Sequence, residues 1–95
     1  MANKRYLIIL IKYGDDRLVD LSRVEPVFNE NSDDWLRFNA KTWVVWTDKT
    51  AVDWYNLLRP FITKKDELFI FGLDPSERYG WGEKMVWDWF DRKRT

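Results

Sequence analysis

Leu7-Ile8-Ile9-Leu10-Ile11, Trp43-Val44-Val45-Trp46 and Leu68-Phe69-Ile70-Phe71 are apolar at every position. Successive side chains of a β-strand point to opposite faces, so a strand with one wet face alternates apolar with polar. These runs do not alternate. Both faces of their sheet are therefore expected to be covered. In a chain of this size one helical layer covers one face, and a second copy of the chain is the expected cover for the other.

Working outward from these runs, the chain reads β-α-β-β-α-β. The first strand spans Arg5 to Lys12 or Tyr13, and Gly14-Asp15-Asp16 breaks it. Leu18, Val19 and Leu21 fit either a short extended piece or an early helical turn. Ser22 and Glu25 have capping-box spacing, so the first helix is expected to start there, with Pro26 in its first turn and its end near Asn31. Residues 29–34 form a polar loop. Trp35 to Phe38 and Thr42 to Thr47 read as a hairpin around Asn39-Ala40-Lys41. The second helix is capped by Thr50 or Asp48. It carries apolar residues at 51, 54, 55, 58 and 61–62 and stops near Pro60. Glu67 to Gly72 is the last long strand.

Right-handed crossovers turn this order into an α+β, ferredoxin-like βαββαβ arrangement: a four-stranded antiparallel sheet with two helices on one face. The first and third strands are then central and the polar second strand lies at an edge. The fourth is also an edge, although wholly apolar, and is expected to be covered by the tail or by a partner. Met85, Val86, Trp87, Trp89 and Phe90 crowd a C-terminal aromatic helix running from Glu83 to about Lys93. Tyr79-Gly80-Trp81-Gly82 before it reads as a joint, letting the helix fold back or cross to a neighbouring subunit. Residues 1–95 are read as one domain, with a core over 5–73 and an extension over 74–95.

Composition narrows the chemistry. Seven Trp, six Phe and four Tyr supply a dense core to 95 residues, since each aromatic buries roughly 150–250 Å². Sixteen basic residues balance sixteen acidic ones, which argues against a protein built to neutralise many phosphates of duplex nucleic acid. There is no Cys and no His. Disulfides, thiolate nucleophiles, Ser-His triads and Cys- or His-bound zinc are thereby excluded. A metal here would be a hard cation on carboxylates, Mg²⁺ or Mn²⁺. The N-terminal apolar stretch lacks a small-residue cleavage site and is read as strand, not signal peptide. No run approaches the ~20 apolar residues of a membrane span, and the expected location is the cytoplasm.

The candidate site residues are few. Asp15 and Asp16 are adjacent carboxylates that could share one Mg²⁺, four of them meeting near the axis of a dimer; the plain reading is a solvated turn. Asp33 and Asp34 read as solvated loop. Arg92-Lys93-Arg94 ends an aromatic helix and suits single-stranded nucleic acid, through phosphate contact and base stacking, or a membrane surface. The plain reading is that these cations favour the helix dipole while the Trp residues pack on the sheet. For an interface the expected residues are Ile8, Leu10, Trp43, Val45, Phe69, Phe71, Trp87 and Trp89.

Trp35…Phe38, a three-residue turn, Thr42-Trp43-Val44-Val45, Thr47-Asp48, a helix ending Leu58-Arg59-Pro60-Phe61, and Lys65-Asp66-Glu67-Leu68-Phe69-Ile70 form a longer pattern. It resembles the SinR-like relatives of the small CRISPR adaptation-complex nuclease family over Tyr6 to Leu73. The resemblance implies a ferredoxin-like fold that dimerises sheet to sheet. In the nuclease members an Asp at the end of the first strand binds a divalent metal together with its twin. The matching position here is Gly14, with Asp15 and Asp16 just beyond, and that departure weighs against nuclease activity. The expectation is a small dimeric, non-enzymatic binding or regulatory module of unknown partner, with a protein partner or nucleic acid both open and no cofactor. A nucleic-acid-binding protein and a Mg²⁺- or Mn²⁺-dependent nuclease are the alternatives.

Overall fold

β1 (Arg5–Lys12) turns Leu7, Ile9 and Ile11 to one side of a sheet and Tyr6, Ile8 and Leu10 to the other. The computed structural model describes residues 3–14, 21–92 and 94, so the first-loop residues Asp15 and Asp16 lie outside the described residues. After β1 come α1 (Leu21–Asn31), β2 (Asp34–Asn39), β3 (Thr42–Thr47), α2 (Ala51–Leu58), a 3-10 turn (Arg59–Phe61), β4 (Glu67–Leu73) and α3 (Lys84–Asp91). The architecture is α+β. Four strands in the order β2-β3-β1-β4 form one antiparallel sheet, with β1 and β3 central and β2 and β4 at its edges.

The first face carries the main core. Leu7, Ile9, Ile11, Trp43 and Val45 pack there against Val24 and Phe28 of α1 and Trp54 and Leu58 of α2. Phe28 stacks on Trp43 at 5.2 Å and meets Trp54 at 5.3 Å and Trp35 at 5.7 Å. Each such ring pair adds about 0.5–1.5 kcal/mol beyond its area burial. Trp43 and Val45, expected at an interface, are fully buried in this layer and offer no surface to another chain. Alternation explains the correction: within Trp43-Val44-Val45-Trp46 only Val44 and Trp46 share the other face.

α1 begins at Leu21, so Ser22 lies inside it and not at its cap, and Pro26 falls beyond the first turn. There the ring removes the N–H that would bond the Ser22 carbonyl. α2 is capped by Thr50: its Oγ1 accepts from the Asp53 N–H at 3.2 Å while the Thr50 N–H donates to Asp53 Oδ2 at 2.9 Å. This reciprocal pair satisfies two otherwise orphaned donors. Thr47, the one buried polar residue among the described residues, is also satisfied. Its hydroxyl donates to the Asn31 carbonyl at 3.0 Å and accepts from the Trp54 indole at 3.2 Å.

The second face is covered in part by the chain itself, where a second copy was expected to be needed. α3 folds back so that Trp89, with Val86 and Phe90, packs on Leu36, Val44, Tyr6, Ile8 and Leu73. The helix is eight residues long and does not reach the whole face. Leu10 and Ile8 stay half-buried, and Phe38, Phe69 and Phe71 are exposed. Among the described residues no helix is long and apolar enough to cross a membrane.

Candidate functional site

The exposed large apolar side chains fall into two patches. The first flanks the outer edge of β4. On the sheet's second face Phe69 and Phe71 are 49 % and 53 % exposed, their rings stacked 6.2 Å apart with planes 8° from parallel. On the first face Val52 and Tyr55 of α2 are exposed beside Leu68 and Ile70, around a shallow depression of about 210 Å³. This edge is therefore greasy on both sides of the sheet.

The second patch surrounds the segment before α3. Tyr79 and Trp81 are both fully exposed, and Phe38 and Met85 are more than half exposed. Tyr79, Trp81 and Phe38, with Trp87, Phe90, Val86 and Leu73, border a cavity of about 300 Å³. An adjoining apolar cavity of about 370 Å³ continues beneath α3 to Ile8, Leu36 and Val44, with Phe38, Leu73, Val86 and Phe90 common to both. Tyr79-Gly80-Trp81-Gly82 thus acts as the joint by which α3 returns to its own sheet. Gly80 lies close against the Trp87 ring, where an added Cβ would stand 3.5 Å from it.

Of the residues expected at an interface, Ile8, Leu10, Phe69 and Phe71 share the second face. Trp87 is half-buried at the second patch, and Trp89 is buried beneath α3 against β1 and β2. Trp89 therefore belongs to the chain's own packing.

The basic tail is not a free cationic surface at its described positions. Arg94 donates to Asp34 Oδ2 at 2.7 Å, to the Tyr6 hydroxyl at 3.1 Å and to the Trp89 carbonyl at 2.7 Å. Its guanidinium also lies 4.4 Å from the centre of the Trp89 ring, a cation–π contact. Arg92 donates to the same Asp34 oxygen at 2.9 Å. Lys93 lies outside the described residues. Asp34, expected in a solvated loop, is instead the first residue of β2 and the anchor of this latch. Burial pulls its carboxyl upward, yet Arg94, the Trp89 indole and Arg92 together hold it below the usual carboxylate value. The Trp89 indole N–H makes no regular hydrogen bond, but it faces the carboxylate closely enough to favour its charge. Nothing in the sequence marks Asp34, because its partners lie 58 and 60 positions away. Asp33 pairs with Lys4.

Position 14 is closed to a side chain. The Gly14 N–H donates to Asp66 Oδ1 at 2.8 Å, and a Cβ there would run into the Lys65 carbonyl. The backbones approach too closely for any residue but glycine. Among the described residues no three acidic side chains gather where a metal ion could sit. No family model, no curated protein and no solved structure matches this chain.

Proposed function

We propose that this chain is a small non-enzymatic binding module of ferredoxin-like fold that works as a homodimer. The observation that carries the reading is the sorting of the exposed large apolar side chains into two patches. Apolar patches beyond a few hundred Å² are rare on monomers and mark interaction sites. On this reading one patch serves self-association and the aromatic groove around Phe38, Tyr79 and Trp81 receives a protein partner. The strand order β2-β3-β1-β4 with helices between β1 and β2 and between β3 and β4 supports the ferredoxin-like assignment. The likeness to the SinR-like relatives supports that fold and lends no activity. The binding reading is favoured over nucleic-acid binding because Arg92 and Arg94 are both engaged by Asp34 and the net charge is zero.

Sedimentation equilibrium at micromolar concentration tests the assembly. The expected result is twice the 11.7 kDa chain mass; a single-chain mass at every concentration would overturn it. Incubation with RNA and with DNA in Mg²⁺ or Mn²⁺ tests the rest. Cleavage that disappears in an Asp15→Ala/Asp16→Ala variant would replace the binding reading with a nuclease.

A further inference from the structure

We infer that two copies join edge to edge through β4, antiparallel about a two-fold axis at Ile70, so that two four-stranded sheets become one of eight strands. The inference rests on the homodimeric reading above and names its contact. β4 pairs with β1 along one side, and its other side faces no strand among the described residues. Natural edge strands are blunted by Lys, Pro, inward charges or bulges, because a bare edge is a template for pairing. The opposite edge, β2, is blunted in this way. It carries Asp34, Arg37 and Asn39, and its register slips between Arg37 and Asn39. β4 reads Glu67-Leu68-Phe69-Ile70-Phe71-Gly72-Leu73, with one charge at its start and neither Lys nor Pro.

The strand is also self-complementary. Antiparallel pairing centred on Ile70 sets Phe69 of one copy opposite Phe71 of the other, twice over. The two stacked Phe pairs then meet as a two-by-two cluster of four rings, and cross-strand aromatic pairs of this kind stabilise sheets by about 0.2–1 kcal/mol each. On the other face Ile70 meets its twin. Leu68 falls opposite Gly72, where no atom stands within 4 Å of an added Cβ and a leucine has room. On this same face Val52 and Tyr55 of α2 flank Leu68 and Ile70. Taking ~150–250 Å² for a whole aromatic, the exposed parts of Val52, Tyr55, Phe69 and Phe71 come to roughly 400 Å². That is half of the ~800 Å² per partner of a standard interface, before Leu68, Ile70 and the main chain of the edge are added.

The chain has no cysteine, so single-cysteine variants report the contact cleanly. At the axis Ile70→Cys places two thiols directly opposite each other. Mild oxidation is expected to convert most of that variant to a covalent dimer. Leu68→Cys alone should crosslink several-fold less, and Leu68→Cys combined with Gly72→Cys should recover the yield. A dimer that crosslinks from Leu10→Cys or Phe38→Cys but not from Ile70→Cys would overturn edge pairing and leave the homodimer standing as a face-to-face one. A chain that sediments as a monomer would remove the homodimer itself. Amide exchange on the unaltered protein guards against variants that fail to fold. Amides of residues 67–73 should exchange at least several-fold more slowly at dimer-forming than at dilute concentration; rates independent of concentration, in a protein that does dimerise, would overturn the inference.

Discussion

Leu7, Ile9 and Ile11 look toward α1 and α2, while Tyr6, Ile8 and Leu10, their immediate neighbours in β1, look toward α3. The first set is sealed to between 0 % and 4 % exposure; the second is covered only as far as one short helix reaches. Two helices and a ring cluster fill the first face. The second depends on Trp89, Val86 and Phe90 and on the polar latch of Asp34 with Arg92 and Arg94. A run of apolar residues thus does not mean that its two faces carry equal weight. One face holds the fold together, and the other is partly finished and left available for contact.

The sharpest way to break this contrast is to remove one Trp from each face. Trp43→Ala should cost about 3–5 kcal/mol, as for large core truncations, and abolish or nearly abolish cooperative folding in urea followed by far-UV circular dichroism. Trp89→Ala should instead release α3 while leaving the sheet and α1–α2 folded. Equal loss of midpoint in both would show that the faces are not separable. A finer comparison uses neighbours on one strand. Ile9→Ala should cost about 2–5 kcal/mol. Ile8→Ala, at a site only partly buried, should cost about 1 kcal/mol, since full burial of such a side chain is worth only ~1.5–3 kcal/mol. Chemical denaturation of the two variants in parallel checks the ratio.

Gly14→Ala should cost about 1–3 kcal/mol, the usual range for overpacking, because Lys65 main chain must move away from the new Cβ. Heat denaturation measures this. The smallest effect is acid release of α3. Arg94, the Trp89 indole and Arg92 hold the Asp34 carboxyl below the ordinary aspartate value in the folded chain. Its contribution is therefore complete above that value and is lost as the pH falls through the lower, folded value. Trp fluorescence should report a local change below about pH 4, and Asp34→Asn should remove that step while the main core persists.

The strands were legible because Leu7–Ile11, Trp43–Trp46 and Leu68–Phe71 are long enough, and bounded sharply enough, to stand out without any knowledge of their partners. The cap of α2 could be narrowed to Thr50 or Asp48, since the partners of such a cap lie within three residues; the structure selects Thr50. What could not be read is long-range. Which two of Trp43-Val44-Val45-Trp46 enter the main core depends on the register against β1. The return of α3 depends on Asp34 meeting Arg94, 60 residues on, and a lone acid beside a strand carries no mark of so distant a partner. The greasy flank of β4 was half visible. Phe69 and Phe71 were evident, whereas Val52 and Tyr55 join them only once α2 has been laid beside the edge.

Arg94 has one more consequence, for the order of events during synthesis. It touches Tyr6 of the first strand and Asp34 of the second, so it links residues up to 88 positions apart. A nascent chain can assemble β1 to β4 and bury its main core before that arginine has left the ribosome. Until then Leu36, Val44 and Ile8 have no lid, and the growing polypeptide exposes them at the stage when aggregation is the chief hazard. Closure of α3 thereby depends on β1 and β2 being in place first, so the lid is fitted to a sheet that has already formed.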